Sequence, residues 1–80
     1  MFLEIITPDK KIFEGEVKSV TIPGSKGSFQ ILKNHAPIIS TLEKGAVKVV
    51  DENKKEHSFD VESGVVENKK NKIIVLLEKI

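Results

Sequence analysis

Two histidines are the side chains of this sequence best suited to proton transfer near neutral pH. His35 lies in an Asn-His-Ala-Pro segment at residues 34–37, and His57 follows later in the chain. Nucleophilic catalysis would also need a serine or cysteine held by such a base. There is no cysteine, and no serine has the flanking glycines of a nucleophile elbow. We therefore interpret His35 as a structural or interface residue, with a general base or metal ligand as the alternatives.

A metal site would need about three clustered ligands, and His57 is the one residue that could join His35 in such a site. An alternating strand around His57 is expected to turn it toward solvent. The sequence thus predicts no catalytic residue, no metal site and no cofactor.

The segment Gly24-Ser25-Lys26-Gly27 is the next candidate, because paired glycines can cradle a phosphate. A phosphate loop needs a longer spacing, a Lys-Ser/Thr ending and a helix start after it. An alternating, strand-like stretch follows here instead. The pattern favours the tip of a β-hairpin, which can still serve as an interaction site.

Charged side chains offer two further possibilities. Asp60 and Glu62 share one strand face at period two, which would suit acid–base chemistry inside a cleft. A solvated face beside Lys54 and Lys55 is the simpler interpretation. These two lysines, at a predicted hairpin tip, also resemble the attachment lysine of lipoyl- or biotinyl-type carrier domains. Their flanking residues match that motif poorly. A carrier domain is therefore the alternative function and not the main prediction.

Composition limits the remaining classes. The chain has 80 residues, 39% hydrophobic and 31% charged, with a net charge of +1, which suits one small domain over residues 1–80. All 13 basic residues are lysine, and tryptophan and tyrosine are absent. Arginine and aromatic platforms are the usual means of gripping nucleic acid, so a nucleic-acid-binding barrel is a weaker alternative.

The apolar pattern indicates strands. Apolar and polar residues alternate at period two, as in Leu3-Glu4-Ile5, and turn signals recur about every ten residues. The apolar run at residues 73–77 is predicted to be a strand with both faces covered, and it is far too short for a membrane helix. Gly15 is expected to mark a bulge or a tight bend. These features predict an all-β sandwich or barrel.

Six short motifs then occur in a distinctive order. They are Thr7-Pro8, Phe13-Glu14-Gly15-Glu16-Val17, Pro23-Gly24-x-x-Gly27-Ser28-Phe29, Asn34-His35-Ala36-Pro37, Leu42-x-x-Gly45-x-Val47 and Ser63-Gly64-Val65-x-Glu67. Together, over about residues 3–77, they resemble the N-terminal β-sandwich domain of the epsilon subunit of F-type ATP synthase. The resemblance implies a flattened β-sandwich of about ten short strands in two sheets, without substantial helix.

The resemblance also implies a function on the rotor of that enzyme. The domain would pack against the gamma subunit and sit on the polar loops of the c-ring, coupling proton-driven ring rotation to ATP synthesis. It would catalyse nothing itself and would bind no nucleic acid. It would lie at the cytoplasmic face of the bacterial plasma membrane, in contact with the membrane only through the c-ring.

Two interfaces follow from the same resemblance. The c-ring interface would comprise Ser25, Lys26, Gly27 and Ser28. The gamma interface would comprise Thr7, Pro8, His35, Ala36, Pro37 and Ile38. Ile38, Ile39 and the face near His35 should then be less buried in the isolated chain than their hydrophobicity suggests.

Two departures from the family pattern accompany the match. Relatives often carry an acid where this chain has Ser28. Relatives also usually continue into a C-terminal pair of helices that inhibits ATP hydrolysis, whereas this sequence ends at Ile80, where the sandwich should finish. The expectation is a coupling subunit without that inhibitory arm.

Overall fold

The computed structural model describes residues 1–79, and its regular structure is entirely β-strand. The strands are β1 (Phe2–Ile6), β2 (Lys11–Gly24), β3 (Gly27–Leu32), β4 (Ile38–Leu42), β5 (Gly45–Asp51), β6 (Glu56–Val61), β7 (Ser63–Lys69) and β8 (Lys72–Lys79). The all-β prediction is confirmed. The count within the described residues is eight rather than ten, because β2 runs unbroken for 14 residues and serves both layers of the fold.

The strands form two layers that share β2. The first layer contains β4, β7, β8 and β1, and β1 also pairs with the first half of β2, from Lys11 to Glu16. The second layer contains β3, the second half of β2, β5 and β6. The pair β1–β8 is parallel, whereas the other pairs are antiparallel. The two predicted sheets are thus one hydrogen-bonded system folded over through β2.

The crossing point of β2 lies beyond Gly15. That glycine pairs regularly with Leu3, and a side-chain carbon added there would meet open space. The register shifts on either side of this glycine, opposite Ile12 in the ladder with β1 and between Val17 and Ser19, where β2 begins to pair with β5. An extra residue in one strand bends it and increases its twist. The predicted bulge at Gly15 was therefore wrong in position, because the bend is needed where the strand changes layers.

The core fills the space between the layers. Buried aliphatic side chains come from every strand and alternate with exposed residues, as period two requires. Phe13 of the first layer contacts His57 and Phe59 of β6 in the second, with ring centroids 5.3 and 5.8 Å away. His57 therefore lies half-buried between the layers, and the prediction that it leans toward solvent was wrong.

The β5–β6 hairpin is organised around Asp51. Its Oδ1 accepts hydrogen bonds from the backbone N–H groups of Asn53 and Lys55, each at 2.9 Å. Its Oδ2 lies 2.9 Å from His57 Nε2. The hydrogen bond with His57, followed by those from the Lys55 and Asn53 amides, lowers the pKa of Asp51 below its usual value of 3.8.

Two glycines are required by close packing. A side-chain carbon at Gly64 would overlap the backbone carbonyl of Leu76 on the neighbouring strand. One at Gly24 would lie 2.7 Å from the ring of Phe29. Both glycines lie at the end of the sandwich where β4 ends, because Gly64 and Gly24 each pair with Leu42.

Alanine substitutions should distinguish a glycine required by close packing from a glycine in an open strand position. We expect Gly64→Ala to lower the free energy of unfolding by roughly 1–3 kcal/mol, since backbone cannot move aside as a flexible side chain can. Gly15→Ala is the matched control and should be neutral or slightly stabilising, because its site is open. Urea-induced unfolding measures both values. Equal effects of the two substitutions would contradict the packing analysis.

Acid should weaken the β5–β6 hairpin through Asp51. Because the folded pKa lies below the unfolded one, the unfolded chain takes up the proton first as pH falls. The stabilisation is complete above the usual carboxylate pKa and is lost as pH falls through the folded value. We expect wild-type stability to fall more steeply than that of Asp51→Asn as pH falls through and below the usual aspartate pKa of 3.8.

Unfolding curves at several pH values test this difference. The Asp51→Asn protein should keep the part of the acid dependence that comes from Glu4, whose pKa is lowered chiefly by its hydrogen bond with Lys11. Parallel pH profiles for the two proteins would rule out the assigned role of Asp51.

Candidate functional site

The outer side of the first layer carries exposed apolar side chains. Ile39 of β4 is 71% exposed and Leu76 of β8 is 51% exposed. Half-buried apolar residues lie between and beside them on the neighbouring strands. We call this surface the outer strip and define it as Ile6, Ile39, Val65, Ile74 and Leu76. Contiguous exposed apolar surface commonly marks a site of protein contact.

The strand register places most of the outer strip in one row. Val65 pairs with Leu76, and Leu76 pairs with Ile6, so one apolar row crosses β7, β8 and β1. In the next row Ile39 lies opposite Glu67, which lies opposite Ile74. A partner that covers this layer would therefore meet apolar side chains from four adjacent strands.

The corresponding row on the second layer is polar. Gln30, Thr21, Lys48 and Ser58 lie side by side across β3, β2, β5 and β6. Leu32, at the end of β3, is the large apolar residue that is exposed on this side among residues 1–79. The two outer faces thus differ in character, and the difference points to the first layer as the docking face.

Strand β8 explains why sequence reasoning missed this surface. The run at residues 73–77 was predicted to be covered on both faces, yet Ile73, Val75 and Leu77 are buried while Leu76 is exposed. That prediction was wrong because β8 lies within one layer of a sandwich, where one face is open. The uninterrupted apolar run was the available signal of an exposed apolar face.

The predicted hairpin tip between β2 and β3 is confirmed, and we call residues 24–28 the glycine turn. Gly27 has a φ of 118°, which favours glycine. The Ser25 N–H donates to the carbonyl of Thr41 at 3.2 Å, and the hydroxyls of Ser25 and Thr41 lie 2.7 Å apart. These bonds fix the turn against the end of β4, next to the outer strip, with residues 25–28 exposed.

Residues 34–37, which we call the corner, connect β3 to β4 and are all exposed. Asn34 has a φ of 64°, a conformation that asparagine tolerates well. The His35 N–H donates to the Leu32 carbonyl at 3.1 Å, which closes the turn. His35 Nδ1 lies 2.7 Å from the Ala36 carbonyl. Because a carbonyl only accepts, Nδ1 donates there, and in the neutral ring Nε2 is left as an acceptor.

The structure divides the residues predicted for the gamma interface between two ends of the sandwich. The corner lies where β4 begins, because Ile38 pairs with Asn68 near the β7–β8 turn. Thr7 and Pro8 follow β1 at the opposite end, where Ile6 pairs with Leu76. That end also carries the glycine turn, about 13 Å from the corner for a strand of this length.

The exposure expected around the corner is found for most of these residues. His35, Ala36 and Pro37 are exposed, and Ile39 is more exposed than any of the other large apolar residues of the described chain. Ile38 differs, because it is half-buried and packs against the core. Side chains alternate along β4, so Ile39 takes the outward position that was also assigned to Ile38.

The other sequence candidates lie apart from this surface. Asp60 and Glu62 are exposed beside Lys44 in a shallow groove at the edge of the second layer. Residues 1–79 contain no group of three or more histidines or acids placed to hold a metal ion. In the same part of the chain, no helix has the length and apolar character to cross a bilayer.

The fold and the site together define a small β-sandwich whose first layer has an exposed, largely apolar outer face. A family model for the ATP synthase delta/epsilon chain β-sandwich domain matches residues 1–80. The ATP synthase epsilon chain of Chlorobium limicola is 46% identical over 78 residues, which are 98% of this chain and 89% of that protein. The Sulfurimonas denitrificans epsilon chain is 43% identical, over 95% of this chain and 58% of the relative. The chain belongs to the ATP synthase delta/epsilon family.

Solved structures show the same fold. A chain of the Euglena gracilis mitochondrial ATP synthase, determined as OSCP/F1/c-ring, aligns with a TM-score of 0.87 at 21% identity, over 94% of this chain and 48% of its own length. A chain of the Tetrahymena thermophila mitochondrial ATP synthase central stalk and c-ring aligns with a TM-score of 0.79 at 19% identity, over 99% of this chain and 63% of its own. At these identities the likeness is one of fold.

Proposed function

We propose that this chain acts as a non-catalytic epsilon-type subunit in the central stalk of an F-type ATP synthase. In this role it joins the gamma subunit to the c-ring, so that proton-driven rotation of the ring reaches the ATP-synthesising head. The family match and relatives named ATP synthase epsilon chain support the proposal. The observation that carries it is the apolar outer strip, which lies between the corner and the glycine turn.

A coupling subunit must transmit torque without deforming. The described chain measures 27 × 24 × 18 Å and consists mostly of strands joined by short turns. The core continues through both layers, and β2 ties them together covalently. Segments that open easily are those with few buried contacts, so a small sandwich of this kind suits a rigid spacer.

The outer strip is the surface proposed for gamma. Full burial of an exposed apolar side chain is worth about 1.5–3 kcal/mol. Covering the exposed parts of Ile39 and Leu76 would contribute a share of this to docking, offset in part by the cost of association. The strip ends at Ile6, next to Thr7 and Pro8, and it begins beside the corner. A gamma subunit that covers the strip would therefore reach both halves of the divided interface.

The glycine turn is the surface proposed for the c-ring. Its exposed residues are polar, and Lys26 is the charged side chain among residues 24–28. Hydrogen-bonding groups and a single charge suit contact with polar loops better than apolar docking does. The subunit would then lie at the cytoplasmic face of a bacterial plasma membrane and touch the membrane only through the ring, with no cofactor and no nucleic acid.

Disruption of the outer strip should weaken binding to gamma. We expect Ile39→Asp to reduce the affinity for purified gamma at least about tenfold, because a buried unpaired carboxylate opposes docking. Lys48→Asp, on the opposite outer face, is the matched control and should bind as the wild type does. Both residues are exposed, so the melting temperatures should stay close to that of the wild type. Wild-type gamma affinity in a folded Ile39→Asp protein would refute the assignment.

Charge reversal in the glycine turn should affect the c-ring more than gamma. We expect Lys26→Glu to lower c-ring recovery in co-purification more than it lowers gamma binding, because Lys26 is not part of the outer strip, although the turn and Ile39 line the same groove. Lys54→Glu, in the β5–β6 turn, is the control with the same charge change. Added salt should reduce the difference between the two variants, because exposed charges are screened. If the wild type captures neither gamma nor the c-ring, the proposed function is wrong.

A further inference from the structure

We infer that Asn68 and Asn71, on the β7–β8 hairpin, are positioning residues that hold the corner in the conformation presented to gamma. The inference rests on the proposed function for its docking partner. It depends on hydrogen bonds that join segments more than thirty residues apart in the chain.

The corner has little of its own to hold it in place. Residues 34–37 are exposed, and Pro37 has no amide hydrogen to donate. The bond from the His35 N–H to the Leu32 carbonyl closes a local turn, without tying it to the rest of the sandwich. Segments with few buried contacts open at low free-energy cost, so the corner needs external restraint to keep one conformation.

Asn71 supplies one restraint through a reciprocal pair of hydrogen bonds. Its Oδ1 accepts the Asn34 backbone N–H at 2.9 Å, and its Nδ2 donates to Asn34 Oδ1 at 3.2 Å. Both asparagines have positive φ, 60° and 64°, and asparagine adopts this conformation more readily than most residues. The two turns are thus shaped so that their side chains meet.

Asn68 supplies the second restraint from inside the sandwich. It is 2% exposed, and its Nδ2 lies 3.4 Å from the His35 carbonyl and 3.3 Å from the Ala36 carbonyl. Its Oδ1 is buried, and no donor in residues 1–79 reaches it. A buried acceptor without a partner destabilises a fold, so an apolar residue here would serve stability better. The asparagine side chain instead contributes the contacts of its Nδ2 with the His35 and Ala36 carbonyls of the corner.

Release of the corner would also disturb the outer strip. β4 begins at Ile38, directly after the corner, and Ile38 pairs with Asn68. Ile39 is the next residue and the most exposed member of the strip. The two asparagines therefore position the corner and the adjacent apolar contact for gamma together.

The first test uses Asn71→Gly, which keeps a residue suited to positive φ and removes both side-chain bonds. We expect the Asn34 amide to exchange with solvent at least about tenfold faster, and gamma affinity to fall by about threefold to tenfold. The amide of Val66, in the core of β7, should exchange at the wild-type rate. Lys70→Gly is the control, since Lys70 lies in the same turn with a φ of 51° and supplies neither of the bonds to Asn34.

The second test uses Asn68→Leu, which keeps the branching and the number of side-chain heavy atoms and removes both the donor and the orphaned acceptor. We expect equal or higher stability in urea together with weaker gamma binding, a split that a purely structural role would not produce. Unchanged gamma affinity in both variants would overturn the inference, and so would an Asn34 exchange rate unchanged by Asn71→Gly. If the wild-type protein fails to bind gamma, both the proposed function and the claim that the corner is presented to gamma are wrong. The amide exchange rates would still show whether the two asparagines hold the corner.

Discussion

The structure depends on one strand that belongs to both layers. β2 pairs with β1 through its first half and with β3 and β5 through its second, and it changes layers at the register shift before Ser19. Because the backbone is continuous there, the two layers cannot slide or separate without breaking ladders on both sides. Phe13 then packs across the interior against Phe59, which closes the same part of the sandwich. A shared strand of this kind gives a small domain the rigidity that a mechanical coupling element requires.

The two outer faces differ in what they expose to water. Water solvates the polar row through Thr21 and Lys48 on the second layer. The row through Val65 and Leu76 leaves apolar area in water in the isolated chain, which is unfavourable until another surface covers it. Relatives of the chain are named as ATP synthase epsilon chains, and cover of this row by a neighbouring subunit is part of the proposed function.

Several sequence-based predictions failed at informative places. Residues 73–77 look like a fully covered strand because an unbroken apolar run does not show that one of its faces is exposed. Gly15 suggested a bulge, yet the bend lies near Lys18, where the strand changes layers. His57 was expected to face solvent, and it lies half-buried against Phe13 with a hydrogen bond to Asp51. The local sequence shows that apolar and polar residues alternate along a strand. Which of the two faces turns inward depends on how that strand packs against the opposite layer.

By itself, the sequence determined the all-β class, most strand positions, the hairpin at Gly24 to Gly27 and the family resemblance. These properties depend on short-range periodicity, turn chemistry and motif order, which a linear chain displays directly. Tertiary structure alone decided which outer face is apolar across four strands. It also placed Thr7 and the corner at opposite ends, and it brought Asn68 and Asn71 to the corner. Those relations join residues distant in sequence, and only strand register and layer packing bring them into contact.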